Sequence, residues 1–463
     1  MLRRKMYDVL MDWKERGTKP LLIYGQRQIG KTFIIEKFAK DNFDTYIYAK
    51  LDDDGKFRSI FNQDDRTVDS LILSMSTLRR LQITDPKKTL IFLDEIQDCP
   101  NALASLKSFK RDGRYKIIAS GSMLGVNINL GDEVKENTSV PPMGDARVIK
   151  MMSLDFEEFL WANDIPQEAI DLVRKRIRNH QKIEEPIYRE FASLFRIFQI
   201  TGGMPASVQA FVDNKTTFMN SSIQLDDIIA QIGRDITKYN DSLNATKTME
   251  CFQSIPYQLA ETNKKFHYSR ISPISVGPNN TRKAADRYME NLLWIKYAGY
   301  GNFCYSLKEI ASPLKIKSKR DVFKVYLSDT GMLTNMYGET AINAIFTSNL
   351  SYNNGSMTEN VVAESLTKCG FEPYYYVNTK KKNRMEIDFI LEFFDGVVAI
   401  EVKSGKTRAA PSINAVNKVF DIKRRIMLEN ENIHETDDGI EHYPLFASAF
   451  FEVLNEVPSY LRK

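Results

Sequence analysis

Gly25-Gln26-Arg27-Gln28-Ile29-Gly30-Lys31-Thr32 sets two glycines, a lysine and a threonine at the spacing G-x-x-x-x-G-K-[ST]. Leu21-Leu22-Ile23-Tyr24 before it predicts a short buried strand, and Phe33-Ile34-Ile35-Glu36-Lys37-Phe38 after it predicts the start of a helix. Strand, glycine turn and helix N-terminus in that order aim backbone N–H groups at one point, which makes a cradle for phosphate. Lys31 then reaches the β- and γ-phosphates of a nucleoside triphosphate, and the Thr32 hydroxyl holds Mg²⁺. A chance glycine turn would require neither flank.

A triphosphate site needs a second strand that ends in acid. Thr89-Leu90-Ile91-Phe92-Leu93 is an apolar run, as expected of a buried parallel strand, and it ends in Asp94-Glu95. Asp94 is expected to hold Mg²⁺ through water, and Glu95 to polarise the attacking water. Alone, such a pair would read as a solvated strand end. Lys116-Ile117-Ile118-Ala119-Ser120 predicts a further core strand that runs into Ser120-Gly121-Ser122. Ser122 is the expected γ-phosphate sensor, with Ser120 close behind; both could equally be turn residues.

The chain of 463 residues is too long for one ordinary domain and implies three or four. Hydrophobic content of 43% and charged content of 27% describe a globular protein. No apolar run approaches the ~20 residues that cross a bilayer. Met1 to Arg16 reads as an amphipathic helix and not a signal peptide, because Asp8 and Asp12 interrupt it. Cys99, Cys251, Cys304 and Cys369 are scattered, which fits a reducing cytoplasm. His180, His267, His434 and His442 do not cluster in sequence, so no zinc site is expected. A net charge of +4 neither demands nor excludes nucleic acid.

A second constellation lies toward the C-terminus. Glu386-Ile387-Asp388-Phe389-Ile390-Leu391 alternates as a half-buried strand, Asp395-Gly396 makes a turn, and Val397 to Lys403 returns. Glu401 and Lys403 share a face of the return strand, and Asp388 can point the same way. Upstream, Glu359 opens the apolar helix Asn360 to Lys368. Hard Mg²⁺ takes carboxylate oxygens, so Asp388 and Glu401 are candidate ligands and Glu359 orients the site or joins them. Lys403 would lower the pKa of an attacking water or stabilise charge on phosphorus. The pattern resembles the PD-(D/E)xK nuclease superfamily. A hairpin with a solvated charged face is the plain alternative. The basic run Lys380-Lys381-Lys382 with Arg384 could hold a phosphate backbone or be a solvated loop. Tyr374-Tyr375-Tyr376 could stack bases or form a core strand.

Between the two, Asp155 or Ser153 caps a helix that starts near Phe156, and Gly202-Gly203-Met204-Pro205 is a hard break. Thr281 to Leu293 predicts a helix with Arg282, Lys283 and Arg287 on one side. The strand-like pieces Phe303–Leu307 and Val322–Leu327 follow, which suggests a winged helix-turn-helix, for DNA or for protein packing. Gly125 to Met143 is a long polar insertion, and Asn349 to Ser356 is the best linker.

Together with Arg147, Leu154 to Phe159, Arg234-Asp235 and Leu327-Ser328-Asp329-Thr330-Gly331-Met332, these pieces resemble a family of bacterial and archaeal predicted ATPases. Its members carry an N-terminal AAA-type (AAA+ superfamily) domain and a C-terminal domain of unknown function with a nuclease-like end. The resemblance implies an α/β multidomain fold. It has a P-loop NTPase (AAA+-like) core over 1–152, a helical lid over 153–243, a winged-helix domain over 244–345 and a restriction-endonuclease-like α/β domain over 346–463. It implies ATP binding; with the residues and composition above, the expected cofactors are ATP and Mg²⁺, the expected partner is nucleic acid, no membrane is expected, and the expected location is cytoplasmic. Arg147 and Arg234 are arginine-finger candidates, and either can instead pair with a carboxylate, so ring, dimer and monomer stay open. The expected activity is ATP hydrolysis coupled to action on nucleic acid. The alternative is a nucleotide-dependent signalling or defence switch whose C-terminal domain only binds a partner.

Overall fold

The computed structural model describes residues 2–52, 55–122, 144–215, 217–261, 264–271, 281–348, 355–379, 384–405 and 411–455, with backbone only at 239, 281–284 and 286. The polar insertion from Gly125 to Met143, the linker up to 354 and the run Lys380-Lys381-Lys382 lie outside the described residues. The chain divides into two compact units, one built mainly from 3–153 and the other from 154 onward.

The first unit is a parallel sheet of β1 (Leu21–Gly25), β2 (Thr45–Lys50), β3 (Thr89–Asp94), β4 (Lys116–Ser122) and β5 (Arg147–Lys150). The strand order is β2-β3-β4-β1-β5, and every pairing is parallel. Both faces are covered, which is why β3 is buried along its whole length and reads as a continuous apolar run. Helix Lys31–Asn42 buries Ile34, Ile35 and Phe38 on one face. Helices Gly55–Phe61, Val68–Arg79 and Pro100–Asp112 bury Phe57, Leu71 and Leu106 in the core of the other. The N-terminal amphipathic helix forms over Lys5–Arg16 and buries Met6, Leu10 and Trp13. Because β4 lies between β1 and β3, the end of β4 stands beside both the glycine loop and Asp94.

The second unit begins with helices. Asp155 caps Phe156–Ala162 in a full capping box with Glu158. Glu185–Thr201 and Pro205–Asp213 flank the predicted glycine break, and Met219–Tyr239, Ser242–Ala260 and Thr281–Ala298 follow. An eight-stranded sheet follows, in the order β12-β13-β11-β10-β9-β8-β6-β7. Its strands are β6 (Gly301–Leu307), β7 (Ser318–Leu327), β8 (Tyr374–Asn378), β9 (Met385–Phe393), β10 (Gly396–Val402), β11 (Arg424–Glu429), β12 (His434–Glu435) and β13 (Glu441–Pro444).

Two expectations change here, and one open alternative, that of Tyr374 to Tyr376, is decided. The hairpin β6–β7, expected as a wing, belongs to the C-terminal sheet: β6 pairs in parallel with β8, Tyr305 opposite Tyr374. A strand layer therefore crosses the expected boundary at 345/346. Tyr374, Tyr375 and Tyr376 are all buried, so they form a core strand and offer no stacking platform. The helix expected to open at Glu359 spans Gly355–Lys368 and is buried from Ser356 to Leu366, which puts Glu359 inside it.

A buried polar node ties this unit together. Asp329 caps helix Thr330–Tyr337 through the Met332 N–H and also accepts from the Gly203 N–H at 2.8 Å. Glu364 accepts from the Thr330 N–H and hydroxyl and from Lys368. Asn360 bridges both backbone groups of Leu327. Burial and the Glu364 charge push the Asp329 carboxyl up to about 6, against Lys368 and two N–H donors. Gly202 and Gly331 permit the close approach: a Cβ on Gly331 would lie 2.4 Å from the Gly202 nitrogen. Backbone cannot give way cheaply there. We expect Gly331→Ala to destabilise this unit by about 1–3 kcal/mol, read as a lowered midpoint in thermal unfolding. An unchanged midpoint would show that the contact relaxes freely.

Candidate functional site

In the first unit the glycine loop runs from β1 into helix Lys31–Asn42. Gly30 stands before the helix with φ +85°, a left-handed conformation that suits glycine, and it has no side chain to cap the first-turn N–H groups. A Cβ on Gly25 would lie 2.3 Å from the Met151 carbonyl oxygen, so that position too demands glycine. The side chain of Lys31 is buried and donates to the carbonyls of Gly25 (2.9 Å) and Gln26 (2.6 Å).

Asp94, at the end of β3, gathers the site. It accepts from the Thr32 hydroxyl at 2.8 Å, from the Tyr48 hydroxyl at 3.1 Å and from the Ser120 hydroxyl. Burial and the Asp94 charge push the Tyr48 phenol up, so it stays a donor. Glu95 has φ +52° and ψ +48°, an uncommon conformation for a side-chain-bearing residue. Its Oε2 accepts from Gln97 at 2.5 Å, while the Gln97 Oε1 accepts from the Ser122 N–H at 3.2 Å. Of the two sensor candidates, the hydroxyl of Ser120 is the one on Asp94, and Ser122 touches the network through its backbone. Tyr48 was missed, since nothing in sequence ties a tyrosine on β2 to Asp94. Arg147 pairs with Asp12 at 3.2 Å, and Arg234, in the other unit, donates to Gln231 at 2.8 Å.

In the second unit Glu359, Asp388, Glu401 and Lys403 lie close enough for their charges to act on one another. The pairing of β8 with β9 shifts between Tyr374 and Tyr376, so β9 carries an extra residue beside Asp388. Such a bulge re-aims side chains. Asp388 accepts from the Val402 N–H at 2.9 Å, and Lys403 donates to Glu401 Oε1 at 2.7 Å. The other oxygen, Glu401 Oε2, is buried and has no hydrogen-bond partner among the described residues. Burial pushes the Asp388 carboxyl well above its usual range, and the charges of Glu359 and Glu401 add to it against Lys324. Glu401 is raised mainly by burial, with Lys403 opposing.

Lys324, Lys264 and Tyr326 were missed. Glu359 receives Lys264 on Oε1, and Tyr326 (3.0 Å) and Lys324 (3.5 Å) on Oε2. Burial alone would raise this carboxyl, but the two lysines overcome it and hold it at about 2. Lys324 is almost fully buried in β7. Its signal was present in sequence, a lysine inside the apolar run Val322-Phe323-Lys324-Val325-Tyr326.

Between helix Thr281–Ala298 and the hairpin β6–β7 lies a groove of about 440 Å³, lined among others by Lys296, Lys315, Arg320, Phe303 and Tyr305. Arg287, of the expected recognition helix, is exposed, and Arg282 and Lys283 lie where only backbone is described. Arg384 is exposed.

The expectation that the histidines stay apart is corrected. β12 pairs with β13 so that His434 faces His442, and the rings stack at 4.3 Å with Glu429 beside them. Two strand pairings, invisible in sequence spacing, bring them together.

Residues 17–160 match the family described as an AAA domain, 192–343 a domain of unknown function (DUF8612) and 354–446 a second domain of unknown function (DUF4143). Similar solved structures include the Walker-type ATPase PABY2304 of Pyrococcus abyssi. It is 12% identical, over 73% of this chain and 96% of that one, with TM-score 0.41. AMPPCP-bound DnaA from Aquifex aeolicus is 14% identical over 64% and 91%, with TM-score 0.30. The Thermotoga maritima RuvB Holliday junction branch migration motor is 15% identical over 65% and 89%, with TM-score 0.29. At such values, what those proteins do is not carried to this chain. No curated protein matches it. Among the described residues, no helix is long and apolar enough to cross a membrane. The N-terminal unit carries an AAA-type domain with a P-loop and a parallel sheet, within a mixed α/β multidomain chain.

Proposed function

We propose that this chain hydrolyses ATP in its first unit and cuts nucleic acid with a divalent metal in its second. In the first unit, Thr32 and Asp94 would hold Mg²⁺, and the loop from Gly25 to Thr32 would hold the phosphates. Glu95, fixed by Gln97, would orient the attacking water. Ser120 suits the sensing role better than Ser122, because its hydroxyl is already on Asp94.

The observation that carries the nuclease reading is the unpartnered buried oxygen of Glu401, beside a raised Asp388. Buried carboxylate oxygens are costly without a partner, and the hard oxygen set of Asp388 and Glu401 fits Mg²⁺ or Mn²⁺. When bound, such a cation polarises a phosphate and activates water. Lys403 holds Glu401 in place and brings a positive charge to the same point. Glu359, with both oxygens on lysine and tyrosine, fits a positioning role better than a ligand's. The groove with Lys296, Arg320 and Phe303 supports nucleic acid as the substrate, since cations track phosphates and rings stack on bases.

One observation favours the alternative, a switch with a non-catalytic partner-binding end: Lys264 and Lys324 neutralise Glu359 as a structural ion pair would. The test is cleavage of plasmid and single-stranded DNA and RNA with Mg²⁺ or Mn²⁺, with and without ATP. We expect cleavage by the wild type and its loss to background in Asp388→Ala. A wild type that cuts nothing would leave the switch reading in its place.

A further inference from the structure

We propose that Glu429, His434 and His442 form a binding site for a zinc-class transition-metal ion, apart from the nuclease-like centre. The site grows from sheet register. His442 on β13 lies opposite Met427 of β11, and Glu429 stands two residues further along β11, on the same face by strand alternation. The antiparallel pairing of β12 with β13 then sets His434 across from His442. One donor atom from each residue lies within 4.8 Å of the others. Zinc bonds of about 2.0–2.2 Å at tetrahedral angles need donors roughly 3.4 Å apart, so side-chain rotations that open one pair and close the others complete the set.

His434 is prepared for a cation. His434 Nδ1 lies 2.9 Å from the Asn432 carbonyl oxygen. A carbonyl can only accept, so Nδ1 carries the hydrogen and Nε2 keeps its lone pair, 3.7 Å from Glu429 Oε1. An outer carbonyl fixing the tautomer of a histidine is the arrangement metal sites use. That carbonyl is itself anchored: the Asn432 side chain takes both backbone groups of Ile183, at 3.1 Å and 2.7 Å. His442 Nδ1 lies 2.5 Å from Glu429 Oε1, and a carboxylate accepts, so Nδ1 carries a hydrogen that a metal at this point would displace, with the ring hydrogen then on Nε2 toward Thr436 at 3.4 Å.

Two imidazoles and one carboxylate prefer Zn²⁺, Co²⁺ or Ni²⁺ over Mg²⁺. Three protein ligands leave a fourth position for water or a small anion. Glu401 pairs with Met427 on β11, the strand that carries Glu429 two residues further on, and His442 lies one strand beyond; the two ligand sets are neighbours that share no residue. An ordinary ion pair between His442 and Glu429 is the competing account, and it predicts no metal uptake.

The test is equilibrium binding of Zn²⁺ to the full chain without nucleotide, for wild type, His434→Ala, His442→Gln and the double variant Asp388→Ala/Glu401→Ala. We expect one equivalent bound by the wild type and by the Asp388/Glu401 variant. Both histidine variants should bind at least ~10-fold more weakly. Zn²⁺ should raise the thermal midpoint of the wild type and not that of His434→Ala. His434 is the most exposed of the three side chains, at 38%, so its variant keeps the fold, checked by circular dichroism. Co²⁺ in place of zinc should show no thiolate charge-transfer band, which excludes the cysteines. A wild type that takes up no Zn²⁺, or histidine variants that bind as the wild type does, would overturn the proposal. Loss of the equivalent in Asp388→Ala/Glu401→Ala would overturn it too, by assigning the metal to the other carboxylates.

Discussion

Lys31→Ala should lose ATP. The ammonium is held over the loop by the carbonyls of Gly25 and Gln26, so it is preorganised beside the backbone that cradles phosphate. Removing a charge-assisted donor costs about 1.5–3 kcal/mol for each hydrogen bond it makes. Two such bonds to a triphosphate correspond to a fall of roughly 100-fold or more in affinity. Fluorescent-nucleotide titration measures it. Glu95→Gln separates binding from chemistry. The amide keeps the shape but no longer takes a proton from water, so affinity should hold while turnover falls by roughly 10²–10⁴, the usual worth of a general base. A Glu95→Gln variant that turns over ATP at the wild-type rate would remove Glu95 from that role. Lys31→Ala with unchanged affinity would mean that the loop amides alone hold the nucleotide.

Asp388→Asn should stabilise the protein and silence the metal-dependent cleavage proposed for the Asp388–Glu401 centre. The folded carboxyl titrates well above its usual range, from burial first and then from Glu359 and Glu401. A raised folded pKa means that the favourable contribution is complete at acid pH, below the ordinary carboxylate value, and is lost as pH rises through the folded value. Above it, an ionised Asp388 sits among like charges. Asparagine keeps an oxygen for the Val402 N–H and never ionises. Without metal, the variant should gain about 1–2 kcal/mol over wild type at pH 8, as substitutions that relieve a strained site do, and nothing near pH 4. Glu359 is held near 2, so it does not change across that window. Added Mn²⁺ should then stabilise wild type and not the variant. Chemical denaturation at both pH values decides it. A variant less stable than wild type at pH 8 would mean that the carboxylate is satisfied as it stands.

How far the sequence carried depends on how local each feature is. The phosphate loop lies in consecutive residues, so its strand, turn and helix could be read directly. Asp94 could be read because a fully buried parallel strand leaves an unbroken apolar run that ends in acid. Asp388, Glu401 and Lys403 could be read because they sit on one hairpin. What could not be read needs partners chosen at long range. The hairpin β6–β7 has the local pattern of a wing, and only its pairing with β8 makes it part of a larger sheet. Tyr48 on Asp94 and Lys264 on Glu359 join segments that no periodicity links. His434 and His442 meet through one register and reach Glu429 through a second.

That shared sheet restricts how the chain could be divided or recombined. A fragment starting at 346 would keep Asp388, Glu401 and Lys403, yet it would lose β6 and leave an edge of β8 without its hydrogen-bonding neighbour. A bare edge invites pairing with other molecules. The same cut removes Lys324, Lys264 and Tyr326, and so strands the buried Glu359 as an uncompensated anion. The two regions on either side of that point, which match separate family models, share one sheet and one buried ion-pair network. A gene fusion that borrowed only the residues from 346 onward would be expected to yield an insoluble product.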